Sequence, residues 1–268
     1  MTQNINTTSP SDNSEQPPRP AQAVQPAKSA KAKPQKNLYE PYLVPMALWR
    51  VFCWVVRIII SIVLDIHVVG RQNVPAQGAF IIASNHLSWV DVPLIPAFIK
   101  RRIVYMAKEE TFQGNLAWLV RFLGAFPVKR GEADRQSIRA ADEQLKAGRI
   151  LGMFPEGTRS KIGKMGKAHA GLGMIALRSD VPVIPVAIWG TEKAFKKFRP
   201  HVTITIGEPM LLKPKGKKIT REDIDEATDQ VMQRIASMLP PEYRGVYADE
   251  LPIAENTEVR QDTNIKNE

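Results

Sequence analysis

The sequence predicts an α/β fold, a single αβα-type sandwich with a mostly parallel sheet, preceded by an N-terminal apolar helix or helix pair. Three observations predict it. Short apolar or β-branched runs recur from Gly70 onward, segments of helical periodicity lie between several of them, and no internal repeat divides the stretch. A chain of 268 residues, 44% of them hydrophobic, has enough apolar material for one substantial domain with terminal extensions.

Residues 1–37 are rich in proline, serine, glutamine, alanine and lysine. They carry too few large apolar side chains to offset the entropy lost on ordering, and are predicted to be disordered. They lack the short apolar core of a secretory signal peptide, because the first strongly apolar stretch begins near Tyr42. Segment 38–66 is predicted to be helical. A spanning helix needs roughly 20 consecutive apolar residues. Here Arg50, Arg57 and Asp65 leave no apolar stretch longer than seven residues between them. An arginine near the bilayer centre costs on the order of 3 kcal/mol on insertion scales. Arg50 and Arg57 share a helix face and can snorkel to headgroups while Trp49 and Trp54 sit at the interface, so the segment reads as an in-plane membrane anchor. The alternatives are a single spanning pass, which these charges disfavour, and a buried core helix.

The main domain is placed at 67–245. Runs 79–83, 103–107, 125–128, 150–154, 183–188 and 202–206 read as strands. Ile138, Ala141 and Leu145 mark a helix that stops at Gly148; Ile224, Ala227, Val231, Ile235 and Met238 mark another behind a Thr220 to Asp223 cap. Residues 246–268 form a polar tail.

Lysine and arginine number 37 against 27 aspartates and glutamates, a net charge of +10 that favours an anionic partner: nucleic acid, a phosphate-bearing substrate or an acidic membrane. Neither aromatic stacking positions nor a helix-turn-helix pattern supports nucleic acid. Cys53 is the single cysteine, which removes an intramolecular disulfide or a cysteine-based zinc site and fits a reducing cytoplasmic setting. His67, His86, His169 and His201 are scattered without ligand-like spacing, so no metal is expected.

Three segments could carry chemistry. Ser-Asn-His-Leu-Ser-Trp-Val-Asp, residues 84–91, follows a predicted strand, and strand ends are where sites gather in parallel sheets. A neutral His86 can take a proton from a hydroxyl while Asp91 holds its other ring nitrogen. Five residues apart on a regular helix they would diverge by about 140°. The pair therefore requires His86 in a turn or at the very start of a helix; a hydrogen-bonded structural pair has the same spacing. Phe-Pro-Glu-Gly-Thr-Arg-Ser, residues 154–160, suits an anion: Gly157 allows close backbone approach, Thr158 and Ser160 offer hydroxyls, and Arg159 offers two parallel donors. Lys161, Lys164 and Lys167 extend the positive charge, as a solvated basic loop also would. Glu156 would repel a phosphate and is expected to hold the loop through backbone or arginine contacts. In Gly-Ala-Phe-Pro-Val-Lys-Arg-Gly, residues 124–131, Lys129 and Arg130 offer further cations, or simply a basic turn after a strand.

Together with Val-Pro-Val-Ile-Pro-Val-Ala-Ile at 181–188, these blocks resemble, in order across roughly residues 67–210, the glycerolipid acyltransferase family that includes the 1-acylglycerol-3-phosphate acyltransferases. The resemblance implies that His86 is the catalytic base and Asp91 its carboxylate. It implies that Arg130, Glu156, Gly157 and Arg159 bind the glycerol phosphate, with Lys129 and Thr158 beside them, and that the block containing Pro185 shapes the site or its acyl-donor side. It further implies a membrane-associated enzyme, at the cytoplasmic face, with no bound cofactor. Acyl-CoA or acyl-carrier protein would be the donor and a lysophosphatidate-type lipid the acceptor. Glycerol 3-phosphate or another lysolipid is an alternative acceptor, and a noncatalytic lipid-binding protein is the alternative from a different class. The expected reaction is direct transfer, since Cys53 lies in the anchor and no nucleophile elbow is present.

Overall fold

The computed structural model describes residues 40–115, 117–128 and 135–249. The segment 1–37, expected to be disordered, lies outside the described residues, as do Lys129, Arg130 and all of the C-terminal tail beyond Asp249. Thirteen α and β elements carry the described part: α1 (Met46–Val63), β1 (Asp65–Val69), β2 (Phe80–Ser84), α2 (Asp91–Ile99), β3 (Ile103–Lys108), α3 (Ala117–Phe122), β4 (Phe126–Val128), α4 (Arg135–Lys146), β5 (Ile150–Met153), α5 (Gly171–Ser179), β6 (Val183–Trp189), β7 (His201–Ile206) and α6 (Arg221–Ser237).

The strands form one sheet in the order β1-β7-β6-β2-β5-β3-β4. Every pairing is parallel except β6 with β7. All six predicted strands are present. β1 escaped notice because it is an edge strand whose sequence, Asp-Ile-His-Val-Val, alternates exposed and half-buried positions and offers no apolar run.

Period-two alternation sends the central strands' side chains to two separate cores. Ile81, Ala83 and Leu151 pack against Ile138 and Leu145 of α4, Leu172 and Ile175 of α5, and Val231 and Ile235 of α6. Phe80, Ile82 and Ile103 pack on the other face against Leu94, Ile95 and Phe98 of α2 and Ile60 of α1. Helices on both faces of a mostly parallel sheet make the expected sandwich. The α6 stripe begins as predicted: Thr220 and Asp223 form a reciprocal capping box.

α1 meets neither reading of its segment in full. Trp49, only 4% exposed, is buried with Leu123 and Val44 and packs against Phe52 and Phe122, with the Arg102 guanidinium over its ring. It is therefore inside the domain and not at a membrane interface, which corrects its placing there, while Trp54 is exposed. Arg57 also turns inward, over the Phe98 ring, while Arg50 is exposed. Leu48, Val51, Trp54, Ile58, Ile59 and Ile62 cover the opposite side and are exposed. α1 thus buries one stripe against the domain and leaves an apolar stripe outside. It is the one helix among the described residues long and apolar enough to cross a membrane.

α5 and α6 approach closely because Gly173 has no side chain; a Cβ there would collide with the Ile224 carbonyl and the Thr228 hydroxyl. The Gly173 N–H donates to that hydroxyl at 3.2 Å. Gly173→Ala is expected to push the helices apart and lower stability by about 1–3 kcal/mol, the usual cost of overpacking. Urea unfolding would show this as an earlier midpoint, and an unchanged midpoint would contradict the close approach.

Candidate active site

β2 ends at Ser84, and the next six residues are a loop before α2 begins at Asp91. His86 therefore lies in the turn that the five-residue spacing requires, and Asp91 is the first helical residue. The imidazole Nδ1 lies 2.8 Å from Asp91 Oδ2. The same oxygen accepts the backbone N–H groups of Leu87 and Ser88, each at 2.7 Å. Asp91 is fully buried, and the positive end of α2 stabilises a charge placed there. Asn85 anchors the root of the loop: its amide donates to the Ile188 carbonyl and accepts the Ile188 N–H, both at 2.8 Å, tying the end of β2 to β6.

The loop after β5 grips His86 from the other side. The His86 N–H donates to Glu156 Oε1 at 3.0 Å, and the Ser160 N–H donates to the His86 carbonyl at 2.8 Å. Glu156 Oε2 accepts the Gly166 N–H at 2.8 Å. The Glu156 carboxylate is thus directed inward onto the backbone, as its repulsion for phosphate led us to expect. It is absent from the cavity wall, unlike the other described residues of its block that the resemblance assigns to substrate. Ser160 is also occupied: its hydroxyl donates to the Lys164 carbonyl and accepts the Lys164 N–H, closing the basic loop rather than offering itself to an anion. Gly157 adopts φ +66°, where a side chain would be strained and would press on the His169 ring.

His86, Gly157, Thr158 and Arg159 line a cavity of about 400 Å³ beside α2, β3 and α3, together with the apolar Val92, Leu119, Val120, Leu123 and Ala125. That size suits an organic ligand. Thr158 and Arg159 are exposed, and the Arg159 guanidinium lies 4.3 Å from the centre of the Trp89 ring, which holds it by a cation–π contact.

Four residues here were not singled out in the sequence. Phe154 stacks on His86 at 3.9 Å, Tyr105 lies parallel beyond it at 6.1 Å, Trp89 supports Arg159, and Lys108 lines the cavity with its ammonium 2.6 Å from Glu110. Trp89 and Phe154 lay inside quoted blocks, yet nothing in their spacing says which ring meets which group. Tyr105 crosses β5 at Gly152, where any Cβ would strike its ring. Among the described residues no group of three or more potential metal ligands comes together.

An imidazole held by a buried carboxylate, beside an apolar cleft with cations at its rim, defines a class of site that can take a proton from a hydroxyl on an amphiphilic molecule. The comparisons with known proteins agree with that class. A family model described as Acyltransferase matches residues 65–189. A 1-acyl-sn-glycerol-3-phosphate acyltransferase of Bacillus subtilis is 32% identical, over 68% of this chain and 92% of its own. A lyso-ornithine lipid O-acyltransferase of Pseudomonas aeruginosa is 34% identical over 50% of this chain and 51% of its own. The crystal structure of the 1-acyl-sn-glycerophosphate acyltransferase PlsC from Thermotoga maritima superposes with a TM-score of 0.55 at 32% identity, covering 72% of this chain and 79% of that one. The chain belongs to the acyltransferase family.

Burial pushes the Glu156 carboxyl up from 4.5 to about 7, against the pull of the Gly166 and His86 N–H groups, with the nearby Asp91 charge adding to the rise. Because the folded value exceeds the unfolded one, this group's contribution to stability is fully present below about pH 4.5 and is lost as pH rises through about 7. The loss amounts to up to about 3 kcal/mol. Glu156→Gln lowers stability throughout, because one amide hydrogen faces a backbone N–H, but it flattens the decline between about pH 5 and 8. Urea titrations across that range check this; parallel curves for the two proteins would contradict it.

Proposed function

We propose that this acyltransferase moves a fatty acyl group from acyl-CoA or acyl-carrier protein to the sn-2 hydroxyl of 1-acyl-sn-glycerol 3-phosphate, giving phosphatidic acid, at the cytoplasmic face of a membrane. The observation that carries the reading is the 2.8 Å contact between Asp91 and His86, which lines the apolar cavity. Asp91 accepts a hydrogen bond from Nδ1–H and so fixes the tautomer, leaving the Nε2 lone pair as the base. Nε2 removes the acceptor's hydroxyl proton as its oxygen attacks the thioester carbonyl. The tetrahedral intermediate then collapses with cleavage of the C–S bond, and the sulfur leaves as a thiol carrying the proton returned by Nε2. The new ester bond replaces the thioester, and His86 ends neutral.

The cavity accepts an acyl chain, since each buried methylene contributes about 0.8 kcal/mol. Arg159, held flat by Trp89, meets the acceptor's phosphate through charge-assisted hydrogen bonds, with Thr158 and the backbone at Gly157 beside it. Lys129 and Arg130 follow β4, whose parallel neighbour β3 ends in the cavity wall, and are proposed as further cations for the same phosphate. The likeness to B. subtilis 1-acyl-sn-glycerol-3-phosphate acyltransferase supports this acceptor. The likeness to the P. aeruginosa lyso-ornithine lipid O-acyltransferase makes a lyso-ornithine lipid the competing acceptor.

The purified protein is expected to acylate lysophosphatidate in preference to glycerol 3-phosphate or lyso-ornithine lipid, with product identified by mass and both thioester donors supplied. His86→Ala is expected to cost about 100-fold to 10,000-fold in rate while the protein still folds; near-normal turnover would remove His86 from the mechanism. Arg159→Ala is expected to raise the lysophosphatidate concentration needed for half-maximal rate, by an amount corresponding to about 1.5–3 kcal/mol. An unchanged concentration dependence would free Arg159 of that role.

A further inference from the structure

The loop between β6 and β7 carries the sequence Lys-Ala-Phe-Lys-Lys-Phe-Arg at residues 193–199, and the reaction described above makes no use of it. Phe195 is 82% exposed and Phe198 is 76% exposed, among the largest apolar exposures in the described residues. Lys196, Lys197 and Arg199 are exposed beside them, and no acidic residue occurs from 193 to 207. Lys193 is engaged with Tyr243 and Glu192, and so belongs to the fold rather than to this surface.

The loop is built rather than slack. Backbone N–H groups of Lys196 and Lys197 both donate to the Lys193 carbonyl, coiling the chain so that Ala194 is buried while the two phenylalanines stand out. Arg199 takes φ 48°, a left-handed conformation that ordinary residues avoid, and its N–H donates to the carbonyl of Val63, the last residue of α1. Two residues later along α1's continuation, the Asp65 N–H donates to the Pro200 carbonyl. The loop is thereby fastened to the end of α1 where Ile58, Ile59, Ile62 and Val63 are exposed. The acid at this junction, Asp65, is answered by His201 at 3.0 Å.

Topology adds the direction. β6 lies parallel beside β2, so the loop leaving β6 emerges at the same end of the strands as the loop bearing His86. We infer that residues 195–199 are a second lipid-contacting element, in which Phe195 and Phe198 enter the interface of an anionic bilayer and Lys196, Lys197 and Arg199 hold its headgroups, continuing the exposed apolar stripe of α1. Alternating exposed aromatics and lysines suit an interface that is apolar below and negatively charged above. An acidic protein partner would be met by the cations but would leave two phenylalanines in water.

This inference rests on the membrane reading of α1, and the test separates the two. The full chain is partitioned onto vesicles of phosphatidylcholine and of phosphatidylcholine mixed with phosphatidylglycerol, beside three variants: Phe195→Ser with Phe198→Ser, Lys196→Gln with Lys197→Gln, and Ile58→Ser with Ile59→Ser and Ile62→Ser. The aromatic variant is expected to bind both vesicles about tenfold or more weakly. The lysine variant is expected to lose about fivefold per lysine on the mixed vesicles only. Loop variants that partition like wild type, while the α1 variant does not, would overturn the loop's role and leave α1 as the anchor. If wild type binds neither vesicle, both readings fall together. Normal partitioning of the lysine variant, with turnover lost for acyl-carrier-protein thioester but kept for acyl-CoA, would reassign the patch to the carrier protein.

Discussion

Oδ2 of Asp91 accepts three hydrogen bonds at once, from Nδ1 of His86 and from the N–H groups of Leu87 and Ser88, and the loop between β2 and α2 takes its shape from them. A carboxylate with no exposed surface would be unfavourable without such donors. The donors in turn fold the chain back so that a residue five positions upstream meets the helix start. The remaining oxygen, Oδ1, is buried with no hydrogen-bond partner among the described residues, so the stabilisation of this charge is concentrated on one side, the side that faces the imidazole. The ring plane is then fixed by stacking on Phe154, whose own position follows from being the residue just past β5.

A second carboxylate makes this arrangement rigid at the level of the backbone. Glu156 takes the N–H of His86 while Ser160 gives its own N–H to the His86 carbonyl, so the loops that follow the neighbouring strands β2 and β5 are cross-linked at the residue that matters. Burial holds the Glu156 carboxyl near 7, and the nearby Asp91 charge adds to the rise. Asp91 is bound by three donors and Glu156 by two, so both carboxyl groups serve to pin the backbone around His86.

Much of this was legible in the sequence, for reasons that differ by element. Central strands announced themselves because both faces are buried and their sequences are continuous apolar runs; β1, with Asp65 and His67 facing outward, did not. His86 and Asp91 were legible as chemistry, and the turn between them as a geometric requirement, because a regular helix would have parted them. The inward direction of Glu156 onto backbone groups or an arginine followed from electrostatics, but which groups it meets, the N–H of Gly166 and the far more distant N–H of His86, did not. Trp49 misled because tryptophan suits both an interface and a core, and only the neighbours supplied by α3 decide between them. Lys129 and Arg130 lie outside the described residues, so their expected role gains no geometry here.

On the proposed reading, the cavity and the exposed stripe of α1 are two answers to one problem. An acceptor with a long tail and a charged head is stable only where water and hydrocarbon meet, and drawing its tail into water would cost about 0.8 kcal/mol for each methylene exposed. On that reading, a His86–Asp91 pair at the strand ends of a sheet reaches that meeting place only if that end is held there. α1 packs one stripe on α2, whose first residue is Asp91, and offers its other stripe outward, so any element that fixes α1 at a bilayer fixes the histidine's distance from it through a single helix contact. On the proposed reading, the anchor is thus part of the site's geometry: a rotation of α1 about its axis would bury the apolar stripe or expose Trp49, and either would be opposed by the packing already described.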